Sequence, residues 1–575
     1  MINWIYPEHT EAAEPEFLEG VPEAIVRMLN RRGVAGSEKI KDFLSEKPAA
    51  GYDPFLLPDL SEAVDTILAA VDEGRKICIY GDYDADGVTA CALLYSVLKE
   101  FTAEVCYRIP SRFIEGYGLN ETVIEELAAD GVSLLVTVDC GSSAFEEVRL
   151  AKSLGMDVIV TDHHSTSEGQ APDCLFINPK REGSLYPFDG LSGCGVAFKL
   201  VQGMVRRMKA EGDDRADRVS LIALLDLVAI STVADVVPLL DENRSLVKYG
   251  LDRLNRCPRP GLEVLLKHLR LADREINSDR IAFTIAPNIN ALGRMGSAST
   301  AVELLSSDGS DMQRLNRLAA EMVCNNKERK DVQEETIRLC REAMDSGICG
   351  ELFPVIFAPD AHEGVAGIVA GNLKERLYRP VFIITRREDG QLKGTGRCIP
   401  DIDLHQMLSE CEELLVRFGG HAGACGLSLE EDMLPRFRAR LQELMAEELR
   451  RDPEILCEKL FIEKELGPEE KNEGFVSMVD RMEPFGAANP RPYFSISRAK
   501  VTFTRLLGFD GQHLKFGLRG DDGIEVECVA FRMAGKYSNL VRCGAVIDVA
   551  GEVSVNEYMG QRAFQFIIKD IRRSA

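Results

Sequence analysis

From about Ser61 onward the apolar positions alternate between a helical period and short continuous runs. Ser61 to Asp72 carries its apolar residues on one helical stripe, Lys76 to Tyr80 is a short run of the kind a buried strand needs, and Val88 to Phe101 returns to the helical period. Apolar runs recur at Glu104 to Ile109, Leu134 to Val138 and Asp157 to Thr161, separated by helical stretches. Strands alternating with helices predict an α/β domain whose parallel sheet is covered on both faces. In such sheets ligands bind beyond the carboxyl ends of the strands, so the residues just past each strand are where chemistry is expected.

Later segments change period. Leu221 to Leu240 is largely apolar, and Asp311 to Asp345 reads as one long helix with Leu315, Leu318, Met322 and Val323 on a stripe. A second α/β region is expected from about Phe353 to Leu449. Beyond Leu460 the pattern alternates in twos: Ala499 to Leu507, Gln512 to Leu518, Ile524 to Phe531, Val546 to Val555 and Gln561 to Ile568. Short strands at this density predict a small β-barrel or sandwich, the OB-fold among them. The expected organisation is an N-terminal segment (1–60), a parallel-sheet domain (61–240), a helical connector (241–345), a second α/β domain (346–450) and a barrel (451–575).

A chain of 575 residues is long enough for several such cores, and 45% hydrophobic with 28% charged residues is an ordinary globular composition. No segment approaches the roughly 18 uncharged apolar residues of a membrane span. The start, MINWIYPEHTEAAEPE, lacks the basic and apolar regions of a secretion signal, so a cytoplasmic location is expected. The 16 cysteines are dispersed without a C-x-x-C pair, which suits reduced, mostly buried thiols. A net charge of −25 argues against a nucleic-acid partner when taken over the whole chain. Taken by segment it does not, because residues 491–575 hold 13 Lys and Arg against 9 Asp and Glu. That distribution predicts nucleic-acid binding confined to a cleft and one barrel face, with a strong salt dependence.

The chemistry is concentrated at strand ends. Directly after the first buried run come Asp82, Asp84 and Asp86, in Gly81 to Gly87. An EF-hand loop opens the same way, but needs a glutamate at its twelfth position, where Leu93 stands, and a helix before it. A solvated acidic turn would be costly for three packed carboxylates unless cations sit there. The next strand ends in Asp139-Cys140-Gly141, the one after in Asp162-His163-His164, and Asp235 interrupts the apolar run Ala234 to Pro238. Oxygen-rich ligation with imidazole and no thiolate suits Mn²⁺ or Mg²⁺ better than zinc. Five carboxylates with imidazole exceed what one ion with open positions needs, so two ions are expected, the arrangement used to hydrolyse phosphoesters. No G-x-S-x-G or H-E-x-x-H occurs, and Gly190 to Gly195 lacks the lysine of a phosphate-binding loop.

GDYDADG, VDCG, DHH and ADVVPL, in this order and spacing, resemble the DHH phosphoesterase superfamily. The remainder is similar to its RecJ family of bacterial single-strand-specific exonucleases: Pro110-Ser111-Arg112 with Glu115 to Gly118, Asn290 to Met295, His362 to Ile368, Gly394 to Arg397, Gly419 to Ala422 and Pro484 to Gly486. Thr395 stands where that family usually has serine, and Cys398 and Cys425 replace small residues.

The resemblance implies a DHH catalytic domain, a DHHA1-type substrate-binding domain and a C-terminal OB-fold. It implies that Asp82, Asp84, Asp86, Asp139, His163 and Asp235 bind two Mn²⁺ or Mg²⁺ ions, with Asp139 the bridge and Asp82 the weakest candidate. It places His164 toward substrate phosphate, oriented by Asp162, and makes Asp84, Asp86, Asp139, His163, His164 and Asp235 the catalytic set. Arg112, Thr395 and Arg397 would grip the 5′-phosphate end, Arg294 the strand, and His421 and His362 the nucleotides. The second α/β lobe would close over the first, leaving a cleft that admits one flexible strand. The implied activity is 5′→3′ release of mononucleotides from single-stranded DNA in repair and recombination, by a monomer, with a single-strand-binding protein and a RecQ-type helicase as partners. Phe503, Phe516 and Tyr558 are candidate stacking aromatics of the barrel, each equally suited to its core. Two other readings stand beside this one: a DHH-type oligonucleotide or cyclic-dinucleotide phosphodiesterase, and a silent scaffold that binds single strands, whose signature would be lost metal ligands.

Overall fold

The computed structural model describes residues 2–7, 18–48, 51–112, 115, 116, 118–166, 169, 171–344, 350–387, 390–558 and 561–574, with side chains undescribed at 558 and 561. Tyr117 and the side chain of Tyr558 therefore lie outside the described residues. The chain divides into two compact units, one of residues 288–297 with 317–458, the other of 2–287, 298–316 and 459–575.

In the larger unit the expected parallel sheet is present, with five strands in the spatial order Val105–Arg108, Ile77–Gly81, Leu134–Val138, Asp157–Thr161, Leu175–Ile177. The central strands are buried along their whole length, which is why they read as continuous apolar runs. Register aligns the strand ends: Gly81 pairs with Val138 and Val138 with Thr161, so Asp82, Asp139 and Asp162 end up side by side. The helix after the first strand begins at Ala85, three residues earlier than its apolar pattern shows. Asp84 caps it, its Oδ1 accepting from the backbone N–H of Asp86 (2.9 Å) and Gly87 (3.1 Å). The apolar stretch Leu221–Ala234 is a buried helix that Asp235 ends.

The barrel closes through five strands, Tyr493–Leu507, His513–Arg519, Glu525–Ala530, Gln561–Arg573 and Val546–Tyr558, the last pairing back to the first. Two strands precede it that alternation did not reveal: Lys459–Glu465 pairs in parallel with the first barrel strand, and Asn3–Ile5 pairs in parallel with Lys459–Glu465. The helices Glu23–Arg31 and Ser37–Leu44 share one hydrophobic core with the barrel, Ile25, Leu29 and Phe43 belonging to the same cluster as Phe494, Phe516 and Phe566. Arg244 locks the join: fully buried, it stacks 3.7 Å from the Phe43 ring and donates to the carbonyls of Phe43, Arg481 and Met482. The N-terminal segment is thus packed as part of the barrel, through contacts separated by more than 400 residues of sequence.

In the smaller unit a five-stranded mixed sheet has the order Arg417–His421, Ala424–Leu429, Leu392–Arg397, Val381–Arg386, Val355–Phe357. Helix Leu434–Arg451 covers one face with Phe437, Leu441 and Met445. Helix Glu363–Leu377 covers the other with Ala366, Val369 and Ala370. Cys398 and Cys425 are core residues of the first face. The long helix forms as Met312–Met344, its buried residues running Leu315, Ala319, Met322, Asn326, with Leu318 and Val323 half-buried beside them. Among the described residues every cysteine is free, and no helix is long and apolar enough to cross a membrane.

Candidate metal centre and strand-binding face

Three neighbouring strands deliver the acids and histidines to one end of the parallel sheet. Asp82, Asp139 and His163 are each less than 5% exposed, and Asp86 is buried in the first helical turn. Asp139 has φ +61°, a left-handed backbone that few non-glycine residues adopt, and so turns sharply off its strand. Gly193 makes room behind it, since a Cβ there would stand 2.4 Å from Asp139 Cβ.

The side chains form overlapping groups whose candidate ligand atoms lie within 4.8 Å of one another. Asp82, Asp84 and Asp139 make one group, and Asp86, His163 and Asp235 another. They meet where His163 Nε2 stands 3.1 Å from Asp139 Oδ1; it is 3.5 Å from Asp235 Oδ2 and 3.7 Å from Asp86 Oδ2. All six predicted ligands are therefore brought together, Asp82 included.

The electrostatics are those of a site built for cations. Burial, then the Asp84 charge, pushes Asp82 up to about 8; burial, then Asp86 and Asp84, does the same to Asp235. Asp139 and Asp84 are raised by burial and by Asp86. Burial lowers His163, leaving it neutral, the form that ligates metal. Asp235 sits at a helix C-terminus, where the backbone dipole disfavours an anion. Asp82 Oδ1, Asp139 Oδ1 and both ring nitrogens of His163 are buried without a hydrogen-bond partner. Buried polar atoms normally find partners, so these orphans, of which the two carboxyl oxygens and one nitrogen of the neutral His163 ring can each offer a lone pair, fit divalent cations.

Asp162 and His164 play a separate part. Asp162 Oδ1 accepts from the backbone N–H of His163 (2.7 Å) and His164 (3.2 Å) and faces His164 Nδ1 at 2.7 Å, while Oδ2 accepts from Ser142 N at 2.9 Å. Burial opposes charge on both residues, but this pairing outweighs it, holding Asp162 below the usual carboxylate range and His164 up at about 9. With its side chain 42% exposed against 6% for His163, His164 is the accessible cation of the pair. Asn178 completes the support, donating to Ser142 Oγ at 3.1 Å and His164 O at 2.9 Å. Sequence reasoning missed Asn178, although its place directly after the strand Leu175–Ile177 is the signal that found the others. Arg112 joins this site, its guanidinium 5.5 Å from the centre of the Tyr83 ring.

The remaining predicted contacts gather in the smaller unit. His362 caps helix Glu363–Leu377, its Nδ1 accepting from Gly364 N at 3.1 Å, and Arg294 donates to Gly364 O at 2.8 Å. Gly367 lies beneath Thr395 and Arg397, since a Cβ there would stand 3.3 Å from Thr395 Cγ2 and 3.0 Å from Arg397 Nη2. Register places His421 opposite Ala424 and Ala424 opposite Arg397, while Gly419 pairs with Gly426 and Gly426 with Thr395. Paired residues share a face, so Thr395, Arg397 and His421 line one side of the sheet where glycines keep the backbone accessible.

On the barrel, Phe516 is buried in the core and Phe503 is 40% exposed. Register puts Phe503 opposite Gly517, Arg505 opposite Lys515 and Leu507 opposite His513, whose ring packs 5.6 Å from Phe531. Phe531 and Phe509 are exposed aromatics that the hydrophobic pattern did not single out. The basic excess is partly neutralised locally, as in Lys515–Glu527 and Arg519–Glu525, both at 2.7 Å.

Three family models match the chain in order: the DHH family, N-terminal domain (residues 76–232), the DHHA1 domain (352–447) and the RecJ OB domain (462–570). The single-stranded-DNA-specific exonuclease RecJ of Bacillus subtilis is 36% identical over 95% of this chain and 67% of its own length. The protein of that name from Dickeya dadantii is 34% identical over 97% of both chains. The crystal structure of RecJ in complex with Mn²⁺ from Thermus thermophilus superimposes with a TM-score of 0.83 at 29% identity, covering 100% of this chain and 80% of the other. A Mg²⁺ complex from the same source gives 0.78.

Proposed function

We propose how this chain cuts DNA from one premise: it belongs to the RecJ family of single-stranded-DNA-specific exonucleases. Asp82, Asp84 and Asp139 would hold one divalent ion and Asp86, His163 and Asp235 a second, the two groups meeting where Asp139 stands 3.1 Å from His163. Bound there, Mn²⁺ or Mg²⁺ supplies Lewis acidity toward the scissile phosphate and its attacking water. His164, kept protonated by Asp162, donates a hydrogen bond to a phosphate oxygen and so favours the charge that builds there in the transition state. Neutral His163 keeps its lone pair for ligation.

The glycine-lined face carries recognition. Arg397 and Thr395 take the 5′-phosphate end on this face, as a planar guanidinium fork suits phosphate oxygens; Arg112, beside the Tyr83 ring, offers a phosphate the same fork. Arg294, His362 and His421 contact the strand behind it. The barrel face of Phe503, Arg505, Lys515 and Phe531 offers stacking and backbone charge without base readout, which is what a sequence-tolerant single-strand binder needs. The reaction is 5′→3′ release of mononucleotides, in repair and recombination, with a single-strand-binding protein and a RecQ-type helicase supplying and unwinding substrate.

The observation that carries this reading is the pair of ligand groups joined at the 3.1 Å approach of His163 and Asp139, with orphaned atoms at its centre. Purified protein with Mn²⁺ tests it against end-labelled single strands, blunt duplexes and dinucleotides. Mononucleotides released from the 5′ end of single strands are expected; preference for dinucleotides, or no hydrolysis, would overturn it.

A further inference from the structure

The glycine-rich segment Gly190 to Gly195 has a task that no phosphate loop would explain. It opens the helix Gly193–Glu211, and Ser192 caps that helix, its Oγ accepting from Gly195 N at 3.1 Å. Asp86 lies across the helix start: Oδ2 accepts from Gly193 N and Oδ1 from Cys194 N, each at 2.7 Å. Ser231, inside the buried helix Leu221–Ala234, places its Oγ 2.5 Å from Asp86 Oδ1 and 2.6 Å from Ser192 Oγ.

Ser192 and Ser231 are both fully buried, so their protons must be spent on one another or on Asp86. Each hydroxyl has one proton to donate, and an ionised carboxylate has none. Ser231 therefore donates to Asp86, Ser192 donates to Ser231, and Ser192 in turn accepts from Gly195. The chain runs one way, from a helix N-terminal N–H through two hydroxyls to Asp86 Oδ1. It leaves Oδ2, the oxygen nearer His163, with only the Gly193 N–H.

We propose that Ser192 and Ser231 are positioning residues that act in series to fix the carboxylate plane of Asp86, so that Oδ2 presents its remaining lone pair to the divalent ion. This rests on the reading of Asp86 as a metal ligand. Partners of this kind orient a ligand without touching the ion, and losing one costs metal affinity roughly 10- to 100-fold. The serial arrangement adds a sharper consequence: the Ser192 hydroxyl reaches Asp86 through the Ser231 hydroxyl, so the two substitutions cannot be independent.

The test is titration of the metal-stripped full-length protein with Mn²⁺ alone, read as free Mn²⁺ by electron paramagnetic resonance, for Ser231→Ala, Ser192→Ala, their double variant and Asp86→Asn. Ser231→Ala is expected to weaken the affected site about 10-fold, Ser192→Ala less, and the double variant no more than Ser231→Ala. With Mn²⁺ saturating, KM for a single strand should be unchanged in all three serine variants, which a general loss of folding would not allow. Wild-type Mn²⁺ affinity in Ser231→Ala, or effects that multiply in the double variant, would overturn the serial relay. If Ser231→Ala does not fold, Ser192→Ala still decides, since unchanged Mn²⁺ affinity there also overturns it. Asp86→Asn separates the two levels: if it binds Mn²⁺ like the wild type, the metal reading itself falls.

Discussion

The carboxylate cluster and the glycine-lined face stand on two sheets that treat charge in opposite ways. At the end of the parallel sheet Asp82, Asp86, Asp139 and His163 are withdrawn from solvent and several are pushed away from their charged forms by burial and by one another. Position there is set before any ligand arrives: a cap for Asp84, a helix start for Asp86, a left-handed turn for Asp139. On the mixed sheet the opposite holds, with half-buried Arg397 and exposed His421 on either side of Ala424, and glycines in the neighbouring pairings. Buried like charges store a cost that a bound proton or a metal cation relieves, which suits a reaction centre. A part-exposed guanidinium on an accessible backbone costs little to keep charged and binds a polyanion weakly at each contact, which suits a strand that must move on.

Substitutions on each side should break differently. Asp139→Ala removes the residue through which the two ligand groups meet, 3.1 Å from His163, and is expected to abolish turnover on labelled single strands while leaving strand binding in place; retained turnover would remove it from the centre. Arg397→Ala should weaken binding of a 5′-phosphorylated strand about 10-fold, the loss of one charge-assisted contact to phosphate, and should do so less for a 5′-hydroxyl strand. Equal losses on both strands would take Arg397 away from the end. Phe503→Ala on the barrel should cost about 1 to 3 kcal/mol of strand affinity without dependence on the 5′ group. An unchanged affinity in filter binding would leave Phe503 a packing residue.

The smallest expected effect is on stability. Asp82 and Asp235 go from near 3.8 in the unfolded chain to about 8 in the metal-free fold, so the fold holds protons that the unfolded chain releases. Their stabilising contribution is present below about pH 4 and is lost as pH rises through about 8. The melting temperature of the metal-free protein should therefore fall by a few degrees from about pH 5 to about pH 8.5, and saturating Mn²⁺ should cancel the fall. A midpoint that rises over that range without metal would contradict the cluster's electrostatics.

How far the sequence could be read follows the same division. The strand-end acids were legible because a fully buried parallel strand is a continuous apolar run, and the residue next in sequence after such a run stands at the strand's carboxyl end in space. Asp235 was visible only as a charge in an apolar run; that the run is a helix could not be told from periodicity, since it is buried on all sides from Leu224 to Val233. Ser192 and Ser231 were invisible, because a buried serine gains its meaning from partners more than 100 residues away, as Ser231 does from Asp86. The N-terminal strand was missed for a similar reason: three residues carry no alternation, and Trp4 finds its partners, Asp570 at 2.9 Å and the Arg572 guanidinium at 3.9 Å, at the far end of the chain. On the barrel the hydrophobic pattern revealed the strands but could not say which aromatic faces outward, and register alone separates Phe503 from Phe516.

The central claim is that two ligand groups meet at Asp139 and His163, and Mn²⁺ stoichiometry tests it most directly. The wild-type protein should bind two ions. Asp82→Ala and Asp235→Ala should each weaken a different one, and Asp139→Ala should weaken both. A single ion in the wild type, or an Asp139→Ala variant that keeps one site at full affinity, would contradict the account.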